Sequence, residues 1–175
     1  RGFIITGTIK YLVVKKILIA LDNGTSAERV AEHGFRLGKQ LDAEIALLSV
    51  VDTRYMLTAG AVTVKEIAEI TKNEFRNLHA VIINKFSPEQ PIAAFIKEGN
   101  PYELILESAD HWQADIIVMG THGRTGLSHL LLGSVAEKVI RHSKKQVLVI
   151  PVKRYLSLFP LLNLQAPASG VISND

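Results

Sequence analysis

Five short runs of almost unbroken apolar character recur along the chain, and each of the first four is followed by a stretch with helical spacing. They are KILIAL (Lys16 to Leu21), AEIALLSVV (Ala43 to Val51), IAAFIKEG (Ile92 to Gly99), DIIVMG (Asp115 to Gly120) and QVLVIPV (Gln146 to Val152). A strand with one wet face alternates polar and apolar residues. A strand that is apolar throughout has to be covered on both faces. The expected fold is therefore α/β: a single-domain, open, parallel five-stranded sheet with helices on both faces. At 175 residues the chain has the length for one such core.

The segments between the runs carry helix signals. Thr25 and Glu28 fit a T-x-x-E capping box, which predicts a helix to about Lys39 with Val30, Gly34, Leu37 and Leu41 near one face. A second helix is expected from about Val64 to Lys85, with Ile67, Ile70, Phe75, Leu78 and Ile82 as an approximate stripe. Pro101 suits the first turn of a third, which runs to about Gln113. Ser134 and Glu137 fit another capping box, with Val135, Val139 and Ile140 apolar behind it. Residues 1–14 read as a leader or remnant, 15–152 as the domain, and 153–175 as an apolar, then flexible, tail.

Composition narrows the function classes. The net charge of +3 is small, and no basic run exceeds two residues, so nucleic acid is not an expected partner. No apolar stretch reaches the roughly 20 residues of a membrane span, and the chain is read as having no membrane partner. The absence of cysteine rules out disulfides, iron–sulfur clusters and thiol catalysis, and suits a cytoplasmic location. The six histidines show no metal-ligand spacing. His33, His79, His111, His129 and His142 read as solvated or structural.

The stretch MGTHGRTGLSHLLLGSV (Met119 to Val135) carries the chemistry. Its glycines weaken local structure where backbone has to approach something closely. Gly133-Ser134 then opens a helix whose N–H groups and positive dipole end favour an anion, with phosphate the obvious candidate. A Rossmann-like sheet of order 3-2-1-4-5 would set the first and fourth strands side by side, where ligands bind at the carboxyl ends. Asp22, after the first strand, would then share a crevice with the glycine loop and offer a carboxylate to ribose hydroxyls. Two other phosphate motifs fail. No G-x-G-x-x-G follows the first strand, and GFRLGKQ (Gly34 to Gln40) has one residue too few for a P-loop and lies inside an expected helix.

Gly120-x-x-Gly123, nine residues, then Gly133-Ser134 resembles the G-2x-G-9x-G-S/T pattern of the ATP-binding branch of the universal stress protein family. KKILIALDNGTSAE and ALLSVVD are similar to that family's first and second strands, so the likeness runs from about Lys15 to Val152. The resemblance implies that Asp22 holds the ribose and that Val50 and Met119 border the adenine. It implies that Gly120, His122 and Gly123 pass around ribose and phosphates, and that Gly133, Ser134 and Val135 take the phosphates. The implied cofactor is ATP, with ADP or AMP as alternatives, carried with Mg²⁺. A homodimer through the last strand is also implied. Two positions depart from the family pattern: Ala20 where Pro is common, and Ser49-Val50 where His-Val is common. The function this implies is nucleotide-dependent regulation in the stress response. A weak ATP hydrolase or nucleotide-transferring enzyme of the related superfamily and a nucleotide-free dimeric interaction scaffold are the alternatives; the sequence offers no evident general base, which speaks against efficient turnover.

Overall fold

The structure, a computed structural model, describes residues 14–54, 63–121 and 132–151. His122 and Gly123, the N-terminal residues 1–13 and the C-terminal residues 152–175 lie outside these segments. In chain order the elements are β1 (Lys16–Ala20), α1 (Ala27–Leu41), β2 (Glu44–Val51), α2 (Val64–Phe86), β3 (Ala93–Glu98), α3 (Pro101–His111), β4 (Ile116–Gly120), α4 (Ser134–His142) and β5 (Gln146–Ile150). All strand pairs are parallel, in the order β3-β2-β1-β4-β5 expected from the sequence. β1 is central, with Ile17 opposite Ile45 on one side and Ile116 on the other.

Alternation along each strand divides the core into two layers. Ile17, Ile19, Leu47 and Val118 face α1 and α2, where they meet Val30, Ala31, Phe35 and Ile82. Leu18, Leu48, Ile117 and Met119 face α3 and α4, meeting Ile105, Ala109, Ala136 and Val139. The three inner strands are covered on both faces as their composition requires. The outer strands are not: β3 is exposed or half-buried throughout, and Leu148 on β5 is 38% exposed.

The P-loop lookalike has a packing role. Gly34 and Gly38 lie on the sheet-facing side of α1. A methyl on Gly34 would come within 2.4 Å of Ile19 Cδ1, and one on Gly38 within 2.5 Å of Ile45 Cδ1. These glycines let the helix backbone settle onto the sheet. The buried side of α1 is accordingly Ala27, Val30, Ala31, Gly34, Phe35 and Gly38, and Leu41 lies outside it at 41% exposure. Ile70 of α2 is likewise exposed, while His79 takes a buried place.

Both expected capping boxes are absent. α1 is preceded by Ser26, whose φ of −98° and ψ of −6° are already near-helical, and no side chain caps it. Without the extended geometry that aims a cap at the third helical N–H, the Thr25–Glu28 pattern goes unused. At α4 the N-cap is Gly133, so Ser134 is the first helical residue and makes no cap bond. A capping box does form at α2, where Thr63 Oγ1 accepts from the Glu66 N–H at 3.2 Å and the Thr63 N–H donates to Glu66 Oε2 at 2.7 Å.

Candidate functional site

Because β1 and β4 are neighbours and the helices that follow them, α1 and α4, lie on opposite faces, a gap opens at their carboxyl ends. A cavity of about 440 Å³ fills it, within the range of about 300–1,000 Å³ for small-ligand sites. Asp22, Val50, Met119, Gly120, Gly133, Ser134 and Val135 all line it.

Two backbone closures set its shape. Leu21 N–H donates to Leu48 O at 2.8 Å, which carries the β1–α1 loop along the end of β2. Gly133 N–H donates to Thr121 O at 2.8 Å, and Thr121 N–H to Ile150 O at 3.0 Å. The chain that leaves β4 at Thr121 is thereby returned to the same point at Gly133, which plants the N-terminus of α4 beside the end of β4.

Among the described residues that terminus is uncapped: Glu137 N–H, bonded to Gly133 O at 2.9 Å, begins the helical ladder, and no described side chain caps the turn before it. The N–H groups of Ser134, Val135 and Ala136 precede the ladder, and the helix dipole adds to their positive end. Gly133 holds an ordinary φ of −64° and ψ of 149°. The backbone geometry at this position therefore does not require glycine.

Across the cavity Asp22 is fixed by the turn it makes. Its Oδ1 accepts from the Gly24 N–H at 3.2 Å, and Ala27 N–H closes back onto Gly24 O at 3.1 Å. A side chain on Gly24 would stand 3.1 Å from Asp22 Oδ2, so this glycine leaves the carboxylate room. Asn23 Nδ2 donates to Glu74 Oε2 at 2.9 Å and ties the loop to α2. The floor is apolar: Val50 and Met119, with Leu48, Pro101 and Ile105 beside them. Such a site offers a carboxylate, an apolar slot and an uncapped helix end in one crevice.

Several lining residues are not among the site residues expected from the sequence: Asn23, Asp52, Arg54, Thr71, Lys138 and Phe75, the last expected only as part of a helix stripe. Arg54 clamps Asp52 with two bonds, Nε at 2.8 Å and Nη2 at 2.7 Å. Those hydrogen bonds hold the Asp52 carboxyl below its ordinary range. The carboxyl-end rule could have found Asp52, which directly follows β2. Lys138 was legible only as the residue one turn after Ser134. Among the described residues no group of three metal-ligating side chains occurs, and no helix is long and apolar enough to cross a membrane.

Comparison with known proteins places this geometry. The model of the universal stress protein family matches residues 14–151. Universal stress protein MJ0531 of Methanocaldococcus jannaschii is 37% identical over 139 residues, covering 78% of this chain and 81% of the relative. Universal stress protein MJ0577 of the same organism is 35% identical over 159 residues, covering 81% and 98%. The solved structure of MJ0577 superposes with a TM-score of 0.66 at 33% identity, over 81% of this chain and 99% of that one. Two more distant structures share the fold: a universal stress protein in complex with cAMP (TM-score 0.59, 22% identity, 81% and 99% covered) and one from Archaeoglobus fulgidus in complex with dAMP (TM-score 0.54, 22% identity, 79% and 99% covered). A family model that spans most of the chain, and two relatives above 30% identity, agree with the sheet order and the crevice. This chain belongs to the universal stress protein family.

Proposed function

We propose that the chain binds an adenine nucleotide, ATP above all, in the crevice between β1 and β4, and acts as a nucleotide-dependent regulator in the stress response. The observation that carries this reading is the N-terminus of α4, which no described side chain caps and which lines a cavity that also presents Asp22. In this reading Asp22 accepts from the ribose hydroxyls, and Val50 and Met119 border the base. Gly120 lets the chain pass close to ribose and phosphates, and Gly133, Ser134 and Val135 receive the phosphates. His122 and Gly123 would complete the wrap, by backbone. Mg²⁺ would arrive with the phosphates, since the described residues assemble no ligand cluster of their own. The cAMP and dAMP complexes of distant members support the choice of ligand class. We place the protein in the cytoplasm, which suits a chain without cysteine.

Calorimetric titration of nucleotide-stripped protein with ATP and Mg²⁺ tests this, alongside Gly133→Val. Valine fits the extended φ and ψ at this position, so its branched side chain acts chiefly by crowding the anion. Wild-type binding in the micromolar range should fall about tenfold or more in a variant that keeps its circular dichroism, in line with loss of charge-assisted hydrogen bonds. No binding by the wild type at millimolar ATP would reject the reading.

A further inference from the structure

The charged groups around the cavity do not all have partners of the same kind. Asp52 and Arg54 form a bidentate pair, so they largely neutralise each other. Asp22 stands on the β1 side. The remaining charged lining residue among those described is Lys138, on the second turn of α4. No described carboxylate lies within ion-pair distance of it. Its ammonium instead sits over the Tyr102 ring, 5.1 Å from the centroid. A face-on aromatic ring holds a cation in place without cancelling its charge.

The helix aims it as well. Lys138 follows Ser134 by four residues, on the same face of α4 and about 6 Å further along the axis. Helical side chains lean toward the N-terminus, and four methylenes span that distance, so the ammonium is delivered toward the level of the first turn. It lies to one side of the bare N–H groups, toward α3, where Tyr102 is the second helical residue. The first-turn N–H groups of a single helix end converge on a small region, of the size of a phosphate group. A cation displaced to the side of that end engages an anion that extends beyond it.

We propose that Lys138 is a specificity-determining residue that makes the site favour di- and triphosphates over monophosphates, with Tyr102 as the residue that positions it. This rests on the adenine-nucleotide reading above. Selectivity then comes from the second turn of α4, while the N–H groups of its first turn supply affinity common to all phosphorylated ligands. Lys138 is exposed, so its contribution is salt-sensitive.

The test is a set of calorimetric titrations with ATP, ADP, AMP and adenosine, at low and high salt, on the wild type, Lys138→Gln, Lys138→Arg, Tyr102→Leu and Tyr102→Phe. Lys138→Gln should weaken ATP about tenfold at low salt while AMP stays within about twofold, the loss of one charged phosphate contact. Lys138→Arg and Tyr102→Phe should keep the ATP-to-AMP ratio, and Tyr102→Leu should lower it. The wild-type ratio should shrink with salt, and that of Lys138→Gln should not. Equal weakening of ATP, AMP and adenosine by Lys138→Gln, or no weakening at all, overturns the proposal and leaves nucleotide binding standing. A wild type that binds none of the four ligands overturns the underlying reading itself.

Discussion

His79 is the residue whose environment departs most from its chemistry. Helix α2 carries it into the core at 3% exposure, where Nε2 lies 2.9 Å from Ser49 Oγ and Nδ1 has no hydrogen-bond partner among the described residues. Burial lowers its pKa from 6.5 to about 4. Between those values the unfolded chain binds a proton that the folded chain refuses, so stability falls as pH drops through that window. At the bottom of the window the cost reaches about 3 kcal/mol. The measurement is a urea midpoint at pH 7 and at pH 4.5 for the wild type and His79→Gln. The variant should lose clearly less on acidification, and equal losses would count against this assignment. Phe75 stands one turn before His79 on α2 and lines the cavity, so acid damage at His79 begins one side chain away from the site.

At the scale of elements, the two helices of one sheet face start in different ways, and stability should record the difference. Thr63→Ala removes a reciprocal cap from α2 and should cost about 1 kcal/mol in denaturant unfolding. Thr25→Ala, at a position that caps nothing, should stay within about 0.5 kcal/mol. The reverse ranking would contradict the cap geometry. Element type and order were legible in the sequence because a strand buried on both faces cannot hide its composition: Ile17, Leu18 and Ile19 are all fully buried. Helix starts were less legible. A T-x-x-E pattern states which side chains could cap, but the φ and ψ of the preceding residue decide whether they do, and in α1 the turn from Asp22 to Gly24 sets those angles. The sheet-facing side of α1 was obscured for a related reason, because Gly34 and Gly38 pack closely without being hydrophobic.

At the scale of the whole molecule the open edges matter. Among the described residues β5 ends the sheet, and alternate residues along it are exposed, Leu148 among them. An edge strand with free backbone groups and an apolar side chain invites a partner strand. We expect a homodimer through β5: light scattering at micromolar concentration should give twice the chain mass, and Leu148→Lys should give the monomer. A monomeric wild type would refute this. That Asp22, Gly120 and Gly133 line one cavity was readable from the strand sequence and glycine spacing, because their placement there depends on chain order. Asp52 was readable only through its place directly after β2, and Arg54 through its pairing with Asp52, whereas Lys138 reaches the cavity through the way α4 packs against the sheet. The central claim is that the bare first turn of α4 is an anion seat facing Asp22. Its most direct test is an ATP titration followed by amide NMR on isotope-labelled protein. The largest shifts should fall on the N–H signals of Ser134, Val135 and Ala136 and on Asp22 and Gly24 in the β1–α1 loop. Shifts confined to other surfaces, or no shifts at millimolar ATP, would contradict it.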